Sequence, residues 1–241
     1  MTEKTIGILG GMGPEATLDL FGKIIAHTPA ARDQDHLRVV IDSNPKVPDR
    51  TAAILRGGPS PVPAMKAGIE ALQRAGADFV VIPCVSAHFF LDELQREAGL
   101  PILSMFDVAA EHIRTHHPLV RRVGLLATTG TLQGGRFREK LQASGIETIT
   151  PAGPDQERVM VSIYEIKGAP GGRGRSAIAA EIREIAGRLI QRGAQGVVAG
   201  CTEIPLALKP GDLGVPVFDT LLILARAAIA AAGRTPLYSL V

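Results

Sequence analysis

The chain has 241 residues, 26 of them Lys or Arg and 24 Asp or Glu, with a formal net charge of +2 and no tryptophan. Basic residues do not cluster beside aromatic ones, so nucleic-acid binding is not expected. The first residues lack the pattern of a signal peptide, and the longest apolar run, 215–232, is interrupted by Asp219 and Arg226. We therefore expect a cytoplasmic protein that does not enter membranes, and thiols stay reduced in that compartment.

Short apolar runs rich in β-branched residues alternate with helical patterns along the whole chain. The predicted strands are, in order, 5–9, 38–42, 79–83, 101–103, 122–127, 147–150, 196–200 and 216–218. The clearest predicted helices are 14–26, 64–75, 132–143 and 176–192. Pro14 suits a first helical turn, and Gly76 and Gly193 suit helix C-caps. This alternation predicts an α/β fold with parallel sheets covered by helices on both faces.

The chain also repeats itself once. Segment 6–13 resembles segment 123–130, and segment 76–84 resembles segment 193–201. Both pairs are offset by the same 117 positions, which ordinary similarity between α/β strands does not explain. The repeat predicts two pseudo-symmetric, Rossmann-like, three-layer domains with a cleft between them.

The predicted domains are interleaved along the chain. Residues 1–101 and 216–241 are expected to form a discontinuous first domain, and residues 102–215 the second. The crossings are expected near 100–104 and 210–215, so that the last strand and helix rejoin the first half.

The two cysteines occupy equivalent positions in the repeat. Cys84 and Cys201 each follow an apolar strand directly, at the strand end where parallel sheets bind ligands. Each precedes a predicted helix start, at Ser86 and Thr202. The positive end of a helix dipole is expected to lower a thiol pKa from its usual value of about 8.5.

Two opposed thiols suit one reaction in particular, the inversion of a stereocentre without a cofactor. One group removes the Cα proton and a second returns a proton from the opposite face. Fixed N–H donors would stabilise the carbanion. A buried, inert thiol pair and a disulfide are the simpler interpretations. Zinc is not expected, because the two cysteines are far apart in the chain and no C-x-x-C spacing is present.

At these residues the sequence resembles the aspartate/glutamate racemase superfamily, and within it the aspartate racemase-like branch, over essentially the whole chain. The matching motifs are 7–17, 43–51, 83–88, 163–168 and 200–206. Glu203 supports that branch, since glutamate racemases usually have histidine there. The resemblance implies catalysis by Cys84 and Cys201, independence from pyridoxal phosphate, an amino-acid substrate and a homodimer.

The resemblance also implies a set of substrate-binding residues: Met12, Asp49, Arg50, Thr51, Val85, Ser86, Lys167, Thr202 and Glu203. Arg50 is expected to clamp a carboxylate and Lys167 to bind a second one. Val85 departs from the family, which usually has asparagine there. The substrate is therefore expected to be aspartate or another acidic amino acid held differently, or a less polar one.

The same predicted cleft is compatible with other functions. It could decarboxylate a malonate-like acid or racemise a hydantoin, although decarboxylation needs only one proton donor. A non-catalytic amino-acid-binding protein is the third possibility, and the paired cysteines weigh against it. His88 could face the Cys84 thiol across one helical turn or simply pack, and Thr128, Thr129 and Thr131 could bind substrate or cap a helix.

Overall fold

The first of two parallel sheets is built from the N-terminal half of the chain. The structure is a computed structural model, and it describes residues 3–168 and 173–238. The strand order is β2-β1-β3, with β1 at Ile6–Gly10, β2 at Val39–Ser43 and β3 at Phe79–Val81. Ile102 adds a parallel bridge beside Val80 at the free edge of β3. The central strand β1 is buried along its whole length because helices cover both faces of the sheet.

The second sheet repeats this arrangement. Its order is β5-β4-β6-β7, with β4 at Arg122–Ala127, β5 at Glu147–Ile149, β6 at Val197–Gly200 and β7 at Val217–Asp219. All its pairings are parallel. The bridge at Ile102 occupies the position in the first sheet that β7 occupies in the second. The predicted α/β fold with two parallel sheets is confirmed.

The helices pack on the faces of these sheets. They are α1 (Pro14–His27), α2 (Arg50–Arg56), α3 (Val62–Arg74), α4 (Leu91–Glu97), α5 (Met105–His116), α6 (Thr129–Gly134), α7 (Arg136–Ala143), α8 (Gly153–Ile166), α9 (Arg175–Gln191), α10 (Ile204–Ala207) and α11 (Thr220–Ala231). The described residues also form two 3-10 helices, Asp33–Asp35 and Ser86–Phe90. The single predicted helix 132–143 is wrong: Gly135 adopts a left-handed conformation (φ +75°) and ends α6 before α7 begins. None of the helices in the described ranges combines the length and apolar character that a membrane crossing requires.

Helices, but not strands, cross between the two halves of the protein. The last strand was expected to rejoin the first half, but β7 pairs with β6, with Val217 opposite Val197. The place beside β3 is taken by Ile102. The helix after β7 does return, since α11 packs on α1, and Lys23 of α1 lies 2.9 Å from Asp219, which caps α11. Helix α5 crosses in the opposite direction and packs on α7 and α11.

Candidate active site

Both thiols lie on one cleft at the carboxyl ends of the strands. Cys84 follows β3 and Cys201 follows β6, and both line one cleft, whose cavity volume is about 20 Å³. Each residue is only 5% exposed, and neither is in a disulfide. In residues 3–168 and 173–238, no group of three or more His, Cys, Asp or Glu side chains is arranged to hold a metal ion.

The cleft brings together most of the residues that the sequence singled out. Besides the cysteines, its lining contains Asp49, Arg50, Thr51, Val85, Ser86, Lys167, Thr202 and Glu203. Met12 does not line this cleft: its side chain is buried, and its carbonyl oxygen accepts a hydrogen bond from Arg50 Nη2 at 3.1 Å.

The lining also contains Thr128, for which the sequence left substrate binding and helix capping open, and two residues that the sequence analysis missed as site residues, Ile163 and Tyr164. Ile163 and Tyr164 precede Lys167 by four and three positions along α8, the spacing that places side chains on one helix face. That spacing is the signal that could have identified them. Thr128 starts the turn after β4, where the repeat puts Gly11 in the first half.

A carboxylate links the second cysteine to a lysine. Cys201 Sγ donates a hydrogen bond to Glu203 Oε2 at 2.9 Å, and Thr202 Oγ1 donates to the same oxygen at 3.3 Å. Lys167 Nζ lies 3.4 Å from the other oxygen of Glu203 and 3.5 Å from the carbonyl oxygen of Met12. Glu203 is 2% exposed, so water does little to screen these interactions.

The charges in this cluster set its protonation. Burial raises the pKa of the Cys201 thiol well above its usual range; the charge of Glu203 adds to the rise and that of Lys167 opposes it. Burial works to lower the pKa of Lys167, but the charges of Glu203 and the two cysteines outweigh it and raise this pKa to about 12. The expected lowering of the thiol pKa is therefore wrong for Cys201. The following helix, α10, has only four residues, and an acidic side chain precedes it.

Arg50 is held by the backbone around it. Its Nη1 donates to the carbonyl oxygens of Val47 (3.0 Å) and Pro48 (2.8 Å), while Nη2 donates to that of Met12. Its Nε is buried without a hydrogen-bond partner in the described part of the chain. Asp49, beside it, caps α2 by accepting from the Ala52 N–H. Arg50 is thus a fixed positive charge at the cleft with an N–H group still to satisfy.

Three buried hydroxyl groups join the two halves of the protein. Ser86 Oγ lies 3.0 Å from Thr128 Oγ1 and 3.1 Å from Thr131 Oγ1, and the two threonine oxygens are 3.0 Å apart. Ser86 belongs to the first half, and the threonines follow β4 of the second. The hydroxyl that was expected to hold substrate therefore also ties the segment after Cys84 to the opposite half. Val85, next to it, is 2% exposed and packs in the main hydrophobic core.

We expect Ser86→Ala to lower the free energy of unfolding by about 1 kcal/mol, because a buried hydroxyl cluster loses one member. Chemical denaturation monitored by circular dichroism measures the change. Ser176→Ala, on the exposed surface of α9, is the matched control and should leave stability nearly unchanged. Equal stability of the two variants would contradict a stabilising role for the cluster.

Comparison with known proteins agrees with this arrangement. Residues 9–228 match the model of the Asp/Glu/Hydantoin racemase family. The chain is 27% identical to the broad specificity amino-acid racemase RacX of Bacillus subtilis over 93% of its own length and 96% of that protein. Its structure superposes on an aspartate racemase from Picrophilus torridus with a TM-score of 0.86 and 31% identity, covering 97% of this chain and 96% of that one. An aspartate racemase homologue from Pyrococcus horikoshii gives a TM-score of 0.75 at 30% identity, over 96% of this chain and 100% of that one.

The chain belongs to the Asp/Glu/Hydantoin racemase family. The resemblance inferred from the sequence is confirmed, and with it the assignment to the amino-acid racemases.

Proposed function

We propose that the protein inverts the Cα stereocentre of an acidic amino acid, with aspartate as the first candidate, by proton transfer between Cys84 and Cys201. The observation that carries this proposal is that both thiols line one narrow cleft, each at the end of an equivalent strand. Inversion needs an acid and a base on opposite faces of Cα, and two thiols that exchange roles meet that need without a cofactor.

The protonation state of Cys201 indicates how racemisation proceeds in one direction. Cys201 rests as a thiol, since its pKa is raised by burial and by Glu203. In this direction the Cys84 thiolate removes the Cα proton, and Cys201 supplies a proton to the opposite face. In the other direction, Cys201 must first lose its proton, and Glu203 Oε2, 2.9 Å away, is placed to accept it.

The cations of the cleft support an acidic substrate. Lys167 and Arg50 supply two positive charges, one for the α-carboxylate and one for a side-chain carboxylate. The same charges stabilise the electron density that moves onto the α-carboxylate when the Cα proton leaves. The similarity to the Picrophilus torridus aspartate racemase favours aspartate, while RacX and the apolar Val85 make a wider amino-acid panel part of the test.

The test follows solvent deuterium and optical activity together. In ²H₂O with no added cofactor, each enantiomer of aspartate should gain deuterium at Cα while its optical rotation decays to zero. The other common amino acids form the comparison panel, and the thiol-free double variant Cys84→Ser/Cys201→Ser is the blank. Deuterium incorporation that is equal in the blank, or carbon dioxide release in its place, would refute the proposal.

A further inference from the structure

His88 faces the backbone of Cys84 rather than its thiol. The imidazole Nδ1 lies 2.9 Å from the carbonyl oxygen of Cys84, and the residue is 1% exposed. Because a carbonyl oxygen only accepts hydrogen bonds, Nδ1 carries the proton and donates. Nε2 is buried and has no hydrogen-bond partner among the residues described. The proposed proton transfer makes no use of this buried side chain.

The ring also packs near aromatic residues that lead into the second half. The ring centroid of Phe106, in α5, lies 5.3 Å from the centroid of the His88 imidazole. Phe106 stacks on Phe137 of α7 at 4.6 Å with an interplanar angle of 14°. Phe137 is fully buried, so the stack has little freedom to move.

We propose that His88 is a positioning residue, whose Nδ1–H fixes the Cys84 peptide and thereby aims the thiol at Cα. The inference rests on the proposed two-thiol racemisation. The segment after Cys84 is then tied to the second half at two places: at Ser86 through its hydroxyl and at His88 through the aromatic stack. Both contacts fix the position of Cys84 relative to the half that carries Cys201.

The ring acts by geometry and not by proton transfer. Burial lowers the pKa of His88 to about 4, while the hydrogen bond to the carbonyl of Cys84 and the charge of Asp107 oppose the shift. The imidazole is therefore neutral at neutral pH. A neutral ring that donates from Nδ1 to a backbone carbonyl has no proton to give to the reacting carbon.

Three substitutions separate the hydrogen bond from simple packing. In His88→Asn, the amide nitrogen is attached where Nδ1 is and keeps the donor. In His88→Gln, the amide corresponds to Nε2 instead, and in His88→Leu the volume is largely kept without any donor. We expect Gln and Leu to lower kcat by roughly 10- to 100-fold, since a displacement near 1 Å costs on the order of 100-fold in rate. KM should change little, and Asn should restore most of kcat.

Two further measurements keep the test decisive. Thermal melts establish which variants are folded, and the Asn and Gln pair carries the comparison if Leu does not fold. Equal kcat in Asn and Gln, or a loss confined to KM, would overturn the inference. If the wild type itself does not racemise any amino acid, the proposed function fails instead. Peptide-resolved alkylation of Cys84 by iodoacetamide then decides: a rate altered by Gln but not by Asn supports positioning, and equal rates overturn it.

Discussion

Replacing either cysteine by serine is expected to abolish most of the racemisation, with a loss on the order of 1000-fold for each single variant. A serine hydroxyl is far less acidic than a thiol, so it neither removes the Cα proton nor returns one at a useful rate. The volume change is small, and both cysteines sit among packed core residues, so the fold should be retained. Polarimetry measures the rate, and circular dichroism verifies the fold. Racemisation within ten-fold of wild type in either variant would refute the two-thiol mechanism.

The same variants reveal which enantiomer each thiol serves. In Cys84→Ser, the enantiomer whose Cα proton faces Cys201 can still lose it and regain a deuteron from the same side. We expect deuterium exchange with retention for one enantiomer in Cys84→Ser and for the other in Cys201→Ser, measured by chiral chromatography with mass spectrometry. Exchange of the same enantiomer in both variants would contradict an arrangement with the thiols on opposite faces.

The repeat made the meeting of the two cysteines predictable. Each half carries a strand that ends at its cysteine, and parallel strands deliver their carboxyl ends to one edge. Once the halves are duplicates, Cys84 and Cys201 must take equivalent positions. Both sheets were predictable too, because apolar, β-branched runs separated by helical patterns leave few other architectures.

The remaining details depend on tertiary contacts that local patterns do not encode. The sequence around β7 has the same pattern whether this strand joins the first sheet or the second; in the structure Ile102 lies beside β3, and β7 pairs with β6. The break between α6 and α7 depends on one left-handed glycine, Gly135. The protonation of Cys201 depends first on the burial of its thiol and then on the carboxylate of Glu203 beside it, and both raise the thiol pKa where a lowering was expected.

Glu203→Gln is expected to lower racemisation on the order of 100-fold, because the carboxylate that accepts the Cys201 proton is lost. The glutamine carbonyl can still accept the Sγ hydrogen bond, so the geometry is largely kept. Enantiomers have equal free energy in an achiral solvent, so kcat/KM must fall equally in both directions. The matched control is Glu97→Gln, which removes the carboxylate of a surface pair 2.9 Å from Lys66 and should leave the rate unchanged.

The same variant should also shift the pH dependence of kcat/KM in a definite direction. The charge of Glu203 raises the pKa of both Cys201 and Lys167, so its removal lets both groups lose a proton at lower pH. The alkaline limb of the kcat/KM profile should therefore move to lower pH in Glu203→Gln. Thiolate absorbance at 240 nm, followed against pH in the Cys84→Ser background, reports Cys201 alone. A limb that stays in place or moves to higher pH would mean that the carboxylate does not control this thiol, and the proton donor of the proposed mechanism would have to be sought elsewhere in the cleft.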